Sequence, residues 1–100
     1  MTKAKLLDPS PPGEILHLEF MEPYGISQNR LARDLDVPVG RVSEIVNGKR
    51  AITADTALRL GKYFGTSAEF WLALQSDYDL RVARRALGDA LKTRVRTVAA

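Results

Sequence analysis

Few side chains in this 100-residue chain could do covalent or acid–base chemistry. Cysteine is absent, which removes disulfides, thiolate metal sites and cysteine nucleophiles. The single histidine, His17, excludes multi-histidine zinc sites and leaves little for proton transfer. What remains is a concentration of hydrogen-bonding and basic groups between Ser27 and Arg50, and their types suit nucleotides. Arg41 can donate a bidentate pair to guanine, Asn47 can pair with adenine, and Ser43 can serve base or phosphate. Glu44 can accept from cytosine but is repelled by phosphate; its plainer roles are an exposed helix charge or a partner for Arg41. Gln28 and Asn29 stand where a helix begins, and amides and side chains there can hold phosphate. Lys49 and Arg50 suit backbone contact or stand as solvated charge. Asn47-Gly48-Lys49 lacks the upstream glycine of a phosphate-binding loop and ends a helix rather than starting one.

The elements that must position these groups are two short helices. Ser27 is a good N-cap for Gln28–Leu35, in which Leu31, Ala32 and Leu35 share one face. Asp36-Val37-Pro38 is long enough only for a turn. The next helix, Val39–Asn47, buries Val42, Ile45 and Val46, with Gly48 as its stop. That setting turns Gly40, Ser43, Glu44 and Asn47 outward, with Arg41 on the flank. Ala32 is small where the second helix must cross closely, as a helix-turn-helix requires, although a plain helical hairpin has the same apolar pattern. The outward face is short, polar and free of bulky hydrophobes, so it can enter a major groove about 12 Å wide.

Around this pair the chain reads as helix throughout. Pro12 suits a first helical turn, and Glu14–Phe20 repeats apolar residues at helical spacing until Pro23 and Gly25. Thr53 caps a helix ended at Gly65, and Thr66 or Ser67 caps a fifth carrying Phe70, Trp71 and Leu74. Trp71, Phe70 and Phe64 are expected in the core or an interface rather than as a base-stacking platform, and His17 as a partly exposed side chain. A sixth helix is expected over Asp77–Leu87, interrupted or ended at Gly88. No segment alternates in the strand manner. The expected fold is all-α, five to six helices, with residues 1–11 a loose arm, 12–80 the domain (motif 27–48), and 81–100 a basic amphipathic extension.

The hydrophobic and charged fractions, 45% and 27%, are those of a globule rather than a disordered chain. No apolar run approaches the roughly 18 residues of a membrane span and no signal-peptide pattern opens the chain, so the default compartment is the cytoplasm. The net charge of +3 is mild, and its placement matters more. After Leu80 stand Arg81, Arg84, Arg85, Lys92, Arg94 and Arg96 against Asp89 alone. Were Leu80–Val98 one helix, Leu80, Ala83, Leu87, Ala90, Leu91, Val95 and Val98 would line one side and want a partner. Gly88 argues against continuity, since glycine disfavours a helix interior by up to roughly 1 kcal/mol. Beyond it the tail is expected to order on binding a second copy, another protein or DNA, or to stay unordered.

Several blocks carry a family likeness: Pro12-Gly13-Glu14-Ile15-Leu16, Gly25-Ile26-Ser27-Gln28-Asn29, Leu31-Ala32, Val37-Pro38 and Glu44-Ile45-Val46-Asn47-Gly48-Lys49-Arg50. Narrower still are Ile52–Leu60 (Ile-Thr-Ala-Asp-Thr-Ala-Leu-Arg-Leu) and Phe64–Leu72 (Phe-Gly-Thr-Ser-Ala-Glu-Phe-Trp-Leu). From Pro12 to Leu80 the chain resembles the HigA antitoxins, a branch of the Xre/Cro-type helix-turn-helix repressors with a lambda-repressor-like fold. The resemblance implies a homodimer that represses its own operon at an inverted repeat in double-stranded DNA. It also implies binding and neutralisation of a HigB-type, RelE-like toxin that cleaves mRNA on the ribosome. By that likeness Gln28 anchors phosphate and the Pro38–Asn47 segment, Pro38 and Val39 included, reads bases. No cofactor, metal or membrane is implied. Two positions depart from the pattern. Position 36 is often glycine because the turn wants a left-handed backbone, which Asp36 tolerates; position 40 is often arginine, so Gly40 removes one contact. The alternative is a stand-alone Xre-type repressor without a toxin, which a neighbouring frame of about 90–110 basic residues would disfavour. An enzyme such as a small ribonuclease is disfavoured by the lone histidine and the missing strand scaffold. A pure protein-interaction module is the remaining possibility.

Overall fold

The computed structural model describes residues 9–99. Within that range all regular structure is helical: α1 (Pro12–Ile15), α2 (Gln28–Leu35), α3 (Val39–Val46), α4 (Ala54–Phe64), α5 (Ala68–Leu87) and α6 (Ala90–Arg94). The arm expected over residues 1–11 falls mostly outside the described residues.

Pro12 occupies the first turn of α1, as its missing amide allows. The helix does not continue regularly. Leu16–Met21 winds as a π-helix and Glu22–Tyr24 as a 3₁₀ turn, closed by Gly25 at φ 63°. The reason lies in what is buried. Leu16 and Met21 are both 1% exposed although five residues apart, a spacing that an α-helix would set about 140° apart. The i→i+5 winding brings both onto the core face and leaves Leu18 outside. Periodicity at 3.6 cannot announce such a change.

Side-chain caps define the next starts. Ser27 Oγ accepts from the Arg30 amide at 3.1 Å, and Ser67 Oγ from the Phe70 amide at 3.0 Å. Thr53 caps α4 through the Thr56 amide. Thr66, the other candidate cap, instead accepts from Trp71 Nε1 at 2.8 Å, which satisfies the indole where it is fully buried. Phe20 and Phe64 pack on that indole, while Phe70 lies at the rim, 37% exposed.

The expected break between a fifth and a sixth helix does not occur: Ala68–Leu87 is one helix of 20 residues. No glycine or proline interrupts it, and what changes along it is burial rather than backbone. Trp71 and Gln75 are buried, whereas residues 79–87 are all exposed. Gly88, at φ 53°, stops the helix, and α6 follows as a separate short turn. The tail is therefore neither a continuation of α5 nor without structure as far as Arg94.

Gln75 is the buried polar group that sequence patterning overlooks. Its Oε1 accepts from the Ile52 amide at 2.7 Å and its Nε2 donates to Asp79 at 2.9 Å. This pins the loop after α3 to α5, where an unpaired amide would be costly. His17 is partly exposed as expected, with Nε2 at 3.4 Å from Glu22.

Candidate nucleic-acid interface

The site is built by α2, its turn and α3. Leu31, Ala32, Leu35, Val42 and Ile45 are all buried between them. Asp36 takes the left-handed conformation at φ 59°, the only non-glycine among the described residues to do so. This reverses the chain so that the Val37 amide bonds back to the Ala32 carbonyl at 3.0 Å. Pro38 then ends the turn in extended conformation as the residue before α3.

Successive residues of α3 step by about 100° around the axis. With Val42 and Ile45 at 2% exposure, the opposite side holds Gly40, Glu44 and Asn47, all exposed, with Ser43 half-buried beside them. Val39 and Pro38 are exposed at the leading end. The helix is about 12 Å long, and an α-helix about 10–12 Å across fits a major groove about 12 Å wide. Nothing of the described molecule covers this face. At the start of α2, Gln28 is half-buried and Asn29 exposed.

The charges are less free than their sequence suggests. Glu44 pairs with Arg50 at 2.8 Å, not with Arg41. Arg41 turns off the flank and donates from Nη1 to Asp55 Oδ2 at 2.7 Å. The same oxygen accepts from Arg59 Nε at 3.0 Å, and Arg59 Nη1 reaches the carbonyls of Leu35 at 2.8 Å and Asp36 at 3.2 Å. The Arg59 hydrogen bond, followed by that of Arg41, holds the Asp55 carboxyl below its usual pKa of 3.8. Asn47 leans toward Ser43 Oγ at 3.5 Å, and Lys49 is exposed. Beside the site, Tyr63 donates to Asp34 at 2.8 Å, which raises the phenol above its usual value.

Of the ten residues picked from sequence, Pro38, Val39, Arg41, Ser43, Glu44 and Asn47 lie along α3 or its ends, Arg41 turned toward Asp55, with Arg50 joined to them through Glu44. Lys49 follows in the same loop, its amide bonded to the Glu44 carbonyl at 2.7 Å. Gln28 and Asn29 open the neighbouring helix. Sequence reasoning missed Asp55 and Arg59. Their i,i+4 spacing signals a pair on one helix face, but nothing local says that Arg41, 14 residues upstream of Asp55, would join it. Among the described residues no cluster of His, Cys, Asp and Glu could hold a metal ion, and no helix is long and apolar enough to cross a membrane.

Comparison with known proteins agrees with this architecture. Residues 18–71 match the helix-turn-helix family HTH_3. The chain is 51% identical to virulence-associated protein I of Dichelobacter nodosus over 74 residues, 74% of this chain and 68% of that one. An addiction module antidote protein of the HigA family from Coxiella burnetii superposes with TM-score 0.85 at 48% identity, covering 90% of this chain and 98% of that one. The Pseudomonas aeruginosa antitoxin HigA, solved with the higBA promoter, gives TM-score 0.86 at 46% identity over 90% and 98%.

Proposed function

The chain belongs to the helix-turn-helix family, in its HigA antitoxin branch, and from that premise we propose that it represses its own toxin–antitoxin operon as a homodimer and neutralises a HigB-type toxin by direct binding. The observation that carries the DNA half is the uncovered polar face of α3, presented by a helix pair whose hydrophobic contacts hold it rigid. Phosphates meet Gln28 and Asn29 at the α2 N-terminus together with Lys49 and Arg50, which sets register. Arg41, Ser43, Glu44 and Asn47, with Pro38 and Val39 at the leading end, then read base edges.

The homodimer reading is supported by the exposed apolar groups of the α5 C-terminal half. Leu80, Val82 and Leu87 are 49%, 42% and 46% exposed there. A second copy can cover them, and a two-fold dimer requires an inverted repeat with half-sites one or more duplex turns apart, about 34 Å per turn. The toxin half is supported by similarity to the antitoxins named above.

Footprinting on the DNA upstream of its own gene tests the first half. A protected inverted repeat is expected, with affinity falling as salt rises by a slope of about −0.9 per phosphate neutralised. Arg41→Ala is expected to weaken operator binding by roughly 1–3 kcal/mol and relax selectivity. Unchanged discrimination between operator and random duplex would remove Arg41 from the reading face. Co-expression with the neighbouring frame, with pull-down and growth rescue, tests the second. Operator binding without a co-purifying, rescued toxin identifies a stand-alone repressor instead.

A further inference from the structure

Arg41 is the strongest base-reading donor on α3, yet it does not point freely into solvent. Its side chain is 27% exposed and is tied by Nη1 to Asp55 at 2.7 Å. Asp55 stands in the first turn of α4, outside the helix-turn-helix itself. It is not a loose surface charge, because Arg59 holds the same carboxylate oxygen at 3.0 Å. Arg59 is anchored in turn on the Leu35 and Asp36 carbonyls, at the end of α2 and in the reversing turn. The three side chains form a chain of contacts from the turn, through α4, to the reading helix.

We propose that Asp55 is a specificity-determining positioning residue, which aims the Arg41 guanidinium at a base edge and keeps it from acting as a general phosphate clamp. Two physical effects act together. A guanidinium has five donors in a planar fork, so fixing Nη1 on a carboxylate sets the plane of the rest while leaving donors for a bidentate contact to guanine. A carboxylate held beside the fork also repels phosphate oxygens, which disfavours the sequence-independent use of the same cation. The energy of ordering a long side chain is met in the free protein rather than on binding. The device rests on Arg41 reading bases, as proposed above, and adds a residue that does not itself touch a base.

The test uses the full chain, its Asp55→Asn, Arg41→Ala and doubly substituted forms, and two probes. One is a duplex carrying the footprinted upstream site; the other is a random-sequence duplex of equal length. Thermal unfolding first confirms that each form folds, and Asp55→Glu serves as a charge-conserving second variant. Asp55→Asn is expected to raise affinity for random duplex, steepen its salt slope by about 0.9 as one more phosphate is engaged, and lower the specific-to-random ratio about tenfold. A randomised-duplex selection should show relaxed preference at the guanine lost with Arg41→Ala. In the Arg41→Ala background the Asp55→Asn effects on ratio and slope should vanish, because they act through Arg41. If they persist there, Asp55 is a general field charge and the positioning role is refuted. If Arg41→Ala changes the ratio while Asp55→Asn changes neither ratio nor slope, positioning fails and base reading stands. If Arg41→Ala leaves the ratio unchanged, the base-reading premise itself fails.

Discussion

Two glycines in the chain should respond in opposite directions to the same added methyl group. Gly13 is buried where α1 crosses α3 backbone to backbone. A Cβ built there overlaps the Ile45 carbonyl and lies 3.0 Å from Val46 Cα. The obstacle is main chain, so no side chain can rotate away, and α1 must move off α3. Overpacking of this kind destabilises by about 1–3 kcal/mol, and alanine's better helix propensity returns up to about 1 kcal/mol. A net loss of about 1–2 kcal/mol is expected, and in a domain this size each kcal/mol shifts Tm by about 4–8 °C. Gly13→Ala should therefore unfold about 4–16 °C below the parent. Gly40, also within a helix, has no atom within 4 Å of its would-be Cβ. Only propensity acts there, and Gly40→Ala should raise Tm by a few degrees, up to about 1 kcal/mol. Circular dichroism melts at matched protein concentration read both, since the Tm of a self-associating protein depends on concentration. A Gly13→Ala protein that melts with or above the parent would refute the close crossing of α1 on α3.

Other perturbations address single features. Gln75→Leu leaves the buried Ile52 amide without its 2.7 Å acceptor and should lower stability by about 1–3 kcal/mol in urea titration; an unchanged midpoint would mean the amide is satisfied otherwise. Asp36 sits at φ 59°, so Asp36→Val should destabilise by roughly 1–2 kcal/mol, whereas Asp36→Gly should stay near the parent because strain relief is offset by unfolded-state entropy. Equal losses in both would sink the left-handed explanation. The Asp55 carboxyl is held below 3.8, so its contribution to folding is complete above that pH and fades as pH falls through the lowered value. The stability gap between parent and Asp55→Asn should close on acidification below pH 3.8; a constant gap would show that the ion pairs do not stabilise the fold.

Much of this architecture is legible in the chain because it is local. Ser27, Thr53 and Ser67 cap helices by reaching an amide three residues on, and Gly25, Gly65 and Gly88 end segments by adopting positive φ. The buried set Leu31, Ala32, Leu35, Val42 and Ile45 follows from a 3.6-residue period, and so does the polar face opposite it. Where the sequence misleads, a partner distant along the chain decides. The π-wound Leu16–Met21 segment exists because the core must receive both of its ends, and Gln75 is buried on α5 because it meets a loop amide 23 residues away.

Composition and spacing alone determined the helical class, the turn at Asp36 and which residues of α3 face outward, since each depends on neighbours within one or two helical turns. Only the tertiary structure decided which of those outward charges are available, giving Glu44 to Arg50 and Arg41 to Asp55. The second of these pairs spans 14 residues and two helices. Such pairings are set by how helices cross in space, and Coulomb attraction acts on that distance, not on separation along the chain.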